Sequence, residues 1–121
     1  MINSVEQKAV SIVLDYETKE GRKPTDVSKD KCGYDVKSGD RFIEVKGTKD
    51  KRAGWFWITD TIVRTLGKNL ANYYLYIVYN INNTPKLKIL EPDDIFKNLK
   101  IDNIFKLTTK VINEYGKDVA I

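Results

Sequence analysis

Histidine is absent from all 121 residues, and Cys32 is the only cysteine. The first absence removes histidine general bases, histidine metal ligands and Ser-His-Asp chemistry together. The second removes an intramolecular disulfide and any cysteine-based zinc site. Cys32 beside Gly33 reads as a small packing residue rather than a reactive thiol. No apolar run approaches the ~20 residues of a membrane span, and the N-terminus lacks a basic-then-apolar leader pattern. The expectation is a cytoplasmic chain with no membrane partner. Internal repeats and low-complexity linkers are missing too. Hydrolytic chemistry in such a chain falls to carboxylates, lysine and a hard metal ion.

What is present is one domain's worth of sequence, 41% hydrophobic and 31% charged. Residues 1–121 are expected to form a single unit, with a core over about 3–80 and an extension over 81–121. Twenty-one Lys and Arg against seventeen Asp and Glu give a net charge of +4. That mildly favours a polyanionic partner, although a small lysine excess is also an ordinary solvated surface. The local distribution says more. Between Arg41 and Arg52 there are five basic residues and two acids, with Lys49, Lys51 and Arg52 clustered at the end.

The stretch from Gly33 to Gly47 reads as a hairpin. Gly39-Asp40 is a two-residue turn signal, because glycine reaches positive φ without strain. The register that follows opposes Ser38 to Arg41, Lys37 to Phe42, Val36 to Ile43, and Asp35 to Glu44. Opposed residues share a face, with Cβ atoms roughly 4.5–5.5 Å apart, so two carboxylates would stand side by side. Lys46 lies two residues beyond Glu44 and projects to the same face, while Ile43 and Val45 project into a core. One reading is a surface cluster in which Lys46 neutralises an acid. The other is a site for Mg²⁺ or Mn²⁺, which take one or two carboxylates plus water. A lysine there would align an attacking water or stabilise charge building on phosphate.

Asp35 followed by Glu44-Val45-Lys46 resembles the D…(D/E)-x-K signature of the PD-(D/E)XK nuclease superfamily. The fuller string Gly21-Arg22-Lys23-Pro24-Thr25-Asp26-Val27-Ser28, Gly33-Tyr34-Asp35-Val36 and Arg41-Phe42-Ile43-Glu44-Val45-Lys46-Gly47 is more specific. It resembles the domain found at the C-terminus of the plant protein NO VEIN and in many prokaryotic defence-associated proteins, over about Val5 to Tyr79. The resemblance implies a catalytic trio of Asp35, Glu44 and Lys46, with Asp35 and Glu44 as ligands of Mg²⁺ or Mn²⁺. It also implies Glu6 as a further metal ligand, although a first-turn glutamate serves the helix dipole equally well. Asp26 and Ser28 match the family string, yet they also fit a simple turn cap.

Along the chain, Ser4 and Gln7 form a capping box before a helix whose apolar positions are Val5, Ala9, Ile12, Val13 and Tyr16. Gly21 ends it. Arg22 to Cys32 reads as a polar connection. Beyond the hairpin, Trp55 to Ile58 reads as a strand and Thr59-Asp60 as the cap of a helix running to about Ala71. Tyr73 to Tyr79 is a strand covered on both faces, Lys86 to Leu90 a strand with one wet face, and Pro92 to Phe96 a short helix. Residues after Ile101 carry mixed signals. The order helix, strand, strand, strand, helix, strand is that of the αβββαβ restriction-endonuclease-like core. The expected fold is therefore α/β (α+β), a mixed central sheet flanked by helices with a C-terminal hairpin and helix extension.

The leading expectation is a metal-dependent endonuclease acting on DNA, with RNA as the second choice. Arg22, Lys23, Lys49, Lys51 and Arg52 are the candidate backbone contacts. The competing expectations are a catalytically silent nuclease-like module that binds nucleic acid or aids assembly, and a partner subunit of a restriction or defence complex. The resemblance also suggests a homodimer, since cutting two strands takes two sites.

Overall fold

The computed structural model describes residues 4–54, 56–57, 68, 71–98, 106–107 and 109–121. Helix α1 spans Val5–Lys19, and its capping box is formed as the sequence dictates: Gln7 N–H donates to Ser4 Oγ and Ser4 N–H to Gln7 Oε1. Ala9, Val10, Val13 and Tyr16 make its buried stripe. Strands β1 (Pro24–Asp26), β2 (Val36–Ser38) and β3 (Arg41–Gly47) follow. Strand β4 (Phe56–Trp57) precedes β5 (Tyr73–Tyr79) and β6 (Lys86–Leu90). The C-terminal part adds α2 (Pro92–Asn98), β7 (Lys106–Leu107), α3 (Thr109–Tyr115) and β8 (Lys117–Val119). The helix expected between Thr59 and Ala71 falls outside the described residues except at Lys68 and Ala71.

Six strands form one sheet in the order β1-β2-β3-β5-β6-β8. Only the β3–β5 pair is parallel; the other pairs in this sheet are antiparallel, so the sheet is mixed. The hairpin register is the one the turn predicts: Ser38 opposes Arg41, Lys37 opposes Phe42 and Val36 opposes Ile43. Gly39 sits at φ +58°, which makes the two-residue loop possible. Two assignments differ. Pro24 to Asp26 is an edge strand, not a loop, because its backbone pairs with Val36 to Ser38. Phe56–Trp57 leaves the central sheet and pairs with β7 in a separate two-stranded ribbon. The third strand ahead of the parallel crossover is thus β1, at the sheet edge.

The alternation of β3 sorts the two cores. Ile43 and Val45 join Tyr76, Val78, Leu87 and the buried stripe of α1. The opposite face carries Tyr73, Leu75, Ile77, Tyr79, Leu90, Ile95 and Ile112. Helix α1 lies so close to β3 that a Cβ on Gly47 would stand 2.8 Å from Ala9 Cβ and 3.1 Å from the Val5 carbonyl oxygen. Glycine is required there by close approach, and this contact sets the first turn of α1 near the end of β3. No helix among the described residues is long and apolar enough to cross a membrane.

Candidate active site

Glu44 and Lys46 project from β3 onto the second face, since the parallel register sets them beside Leu75 and Ile77. Lys46 Nζ lies 3.3 Å from Glu44 Oε2. Both side chains are largely buried, at 22% and 12% exposure respectively. Glu44 is nevertheless not a simple ion-pair partner. Burial, and after it the Asp35 charge, push its carboxyl up to about 8, and Lys46 offsets only part of this. At neutral pH, without another cation, the carboxyl holds a proton for much of the time.

Asp35 stands just before β2. The β2–β3 ladder ends at Val36, and past it the Asp35 carboxylate takes over: Oδ2 accepts the Val45 N–H at 2.8 Å. The Asp35 N–H donates to the Ile43 carbonyl at 2.8 Å, and its own carbonyl accepts from Val27. The opposition expected between Asp35 and Glu44 therefore arises through side chains, beyond the regular ladder. Tyr73 completes the support. This buried residue, 1% exposed, donates its hydroxyl to the Gly33 carbonyl at 2.9 Å. Burial, Glu44 and Asp35 all raise the pKa of its phenol, so it stays a donor. Sequence patterning hides Tyr73 inside an aromatic run, and no local signal marks it.

Asp35 also lines a cleft of ≈ 490 Å³ with Glu6, Asp26, Ser28 and Lys29, roofed by Val10 and Leu14 of α1. Glu6 is exposed and shares this cleft. Among the described residues, however, no three carboxylate or cysteine groups come together as a metal cage, so Glu6 does not complete one with Asp35 and Glu44. Asp26 is engaged locally: Ser28 N–H and Ser28 Oγ both donate to its Oδ1, at 2.9 and 2.6 Å. These bonds hold its carboxyl below the usual range. A turn cap explains both residues.

Arg22 departs from its expected role. Its guanidinium donates twice to Glu17, Nε to Oε1 at 2.5 Å and Nη2 to Oε2 at 2.8 Å. Glu17 is completely buried and also accepts the Tyr76 hydroxyl at 2.7 Å, which in turn accepts from Arg41 at 2.8 Å. Burial would raise the Glu17 pKa, but the bonds from Arg22 and Tyr76, helped by the neighbouring Ser38 hydroxyl, hold it below the usual carboxylate range. A cation that keeps a buried carboxylate charged is a structural one. Lys23, Lys49, Lys51 and Arg52 remain exposed. Lys51 and Arg52 flank a second cleft with Lys86 and Lys88, away from the acidic one.

Asp35 and Glu44 form a donor set that fits a hard divalent ion. Two half-buried carboxylates, one with its pKa raised, stand together with one lysine, and oxygen is what Mg²⁺ and Mn²⁺ prefer. With no third acid, such an ion would keep water in the rest of its shell.

Known proteins bear on this geometry in three ways. No curated protein matches the sequence. Among solved structures, the fold is similar to that of Hjc from Archaeoglobus fulgidus, a Holliday junction resolvase from an archaeal hyperthermophile. The TM-score is 0.66 over 96% of this chain and 93% of the resolvase, at 16% identity, which establishes a resolvase-like, restriction-endonuclease-like fold. The family model described as Protein NO VEIN, C-terminal, matches residues 5–90, and the chain belongs to that family.

Proposed function

We propose that this domain is a divalent-metal-dependent nuclease that hydrolyses DNA phosphodiester bonds. The observation that carries the reading is the crowding of Glu44 against Asp35, the residue before β2, beside Lys46 in the half-buried hairpin, at the cost of a carboxyl raised to about 8. A purely structural pair would gain by ionising Glu44 against Lys46; here burial, and after it the Asp35 charge, oppose that ionisation.

Asp35 and Glu44 would hold Mg²⁺ or Mn²⁺, which supplies Lewis-acid activation of water and of the phosphoryl group. The remaining work belongs to the chain. The Val45 N–H and the Tyr73–Gly33 bond keep Asp35 in place, so its carboxylate needs little reorganisation on binding. Lys46, carried on the rigid strand two residues from Glu44, aligns the attacking water and stabilises negative charge as it develops on phosphate. Exposed Lys23, Lys49, Lys51 and Arg52 bind the backbone and carry no sequence information by themselves. Two copies acting together would cut both strands of a duplex.

The alternative is a silent, nucleic-acid-binding module, since a fold by itself does not fix an activity. A single experiment separates the readings. Purified protein is incubated with plasmid, single-stranded DNA and a four-way junction in Mg²⁺ or Mn²⁺, with Asp35→Asn as control. Metal-dependent nicking lost in the control is the expected result. Binding without cleavage of any of the three substrates would leave the silent module.

A further inference from the structure

The sheet face that carries Glu44 and Lys46 continues across two more strands. Lys46 lies beside Ile77, Ile77 opposes Lys88, and Tyr79 opposes Lys86. Paired residues share a face, so Lys46, Lys88 and Lys86 all project from the same side. Lys51 and Arg52 return from the loop after β3 to meet them. Lys51, Arg52, Lys86 and Lys88, with Tyr79 and Asn113 of α3, line a cleft of ≈ 330 Å³ that has no acidic residue in its lining.

The cations of this cleft are not equivalent. Lys88, 9% exposed, is paired with Asp118 at 3.3 Å, and the Tyr79 hydroxyl donates to the other oxygen of the same carboxylate at 2.8 Å. These contacts make a fixed floor. Lys51, Arg52 and Lys86 are exposed above it and make no ion pair among the described residues. Three cations held open around a neutral amide suit a chain of phosphates better than one small anion, because the cleft is shallow and each phosphate needs only one or two donors.

We propose that Lys86, with Lys51, Arg52 and the Asn113 amide, binds the phosphodiester backbone of the nucleic acid at a distance from the acidic pair. Two strand spacings separate the Lys46 and Lys88 positions, roughly 10 Å. Along the strands Lys86 lies a further four residues from Glu44, counted between their partners Leu75 and Tyr79, roughly 13 Å, so the cleft stands about 17 Å from the acidic pair, on the order of five phosphates at 3.4 Å of rise per nucleotide. The cleft thereby fixes the direction of the strand across β3, β5 and β6. The inference rests on the nuclease reading for its substrate, but not on cleavage.

The test is binding of a fluorescent DNA duplex in chelator over a salt series, by anisotropy. Wild type is compared with Lys86→Ala, Lys86→Gln and the triple variant Lys51→Ala, Arg52→Ala, Lys86→Ala. The expected result is a log–log salt slope shallower by about 0.9 for each cation removed, with unchanged melting temperatures. A wild type that binds with a slope all three variants share overturns the cleft and leaves the nuclease reading standing. A wild type without salt-dependent binding overturns both. Flattened slopes in a protein that never cuts support the cleft and count against catalysis alone.

Discussion

The carboxylate of Asp35 accepts the backbone N–H of Val45 at 2.8 Å, one residue past the point where the ladder between their strands stops. A side chain thus replaces a strand carbonyl, and the acid is fixed by the strand that carries Glu44 and Lys46. Asparagine can still offer an oxygen to Val45; alanine cannot. Asp35→Ala should lose roughly 1–3 kcal/mol of stability by orphaning a buried donor, while Asp35→Asn keeps most of it. Both should lose cleavage. Urea unfolding of the two variants checks this, and equal losses would mean that the charge, not the hydrogen bond, holds the turn.

Glu44 makes stability fall with pH. Its folded carboxyl titrates at about 8 against an ordinary value of 4.5, so the folded state binds the extra proton between those values. The stabilisation is fully present below about 4.5 and is lost as pH rises through about 8, at up to roughly 1.4 kcal/mol per pH unit. In chelator, Glu44→Gln should flatten that slope and melt no earlier than wild type at pH 8. Millimolar Mg²⁺ or Mn²⁺ should raise the melting temperature of wild type and leave the variant almost unmoved. A variant that melts well below wild type in chelator would return Glu44 to the role of ion-pair partner for Lys46.

Lys46→Ala separates binding from chemistry. Cleavage should fall by roughly 10²–10³, the effect of removing one preorganised stabiliser of developing charge. The rise in melting temperature on adding metal should persist, because a nearby ammonium repels the ion. Full activity in this variant would remove the lysine from the catalytic set.

Arg22 should matter for folding and not for DNA. Arg22→Ala leaves the buried Glu17 without its bidentate partner and should cost roughly 3–5 kcal/mol. Glu17→Gln with Arg22→Gln removes both charges and should recover part of it. Because the Glu17 pKa is depressed in the folded state, its contribution is present above about 4.5 and disappears as pH falls through the lower folded value. The salt slope of DNA binding should be the same with and without Arg22, at a temperature where both proteins are folded. A shallower slope in Arg22→Ala would restore it to the phosphate contacts.

Much of the fold was legible because it depends on neighbours in sequence. The Ser4–Gln7 box, the Gly39-Asp40 turn with its register, and the aromatic run from Tyr73 to Tyr79 are each specified within a few residues. A period of two then assigns Glu44 and Lys46 to one face and Ile43 and Val45 to the other. Tertiary structure decided what those patterns leave open, because the deciding partners lie far away in the chain. Pro24 to Asp26 is a strand only because β2 is there to pair with it. Phe56–Trp57 leaves the sheet for Lys106–Leu107, some fifty residues on. Arg22 is bound by a glutamate whose burial depends on Tyr76, and Lys86 meets Lys51 and Arg52 only after the chain has crossed the sheet twice. The acidity of Glu44 belongs to the same class: a carboxylate reads the same in any sequence, and only burial beside Asp35 tells it to hold its proton.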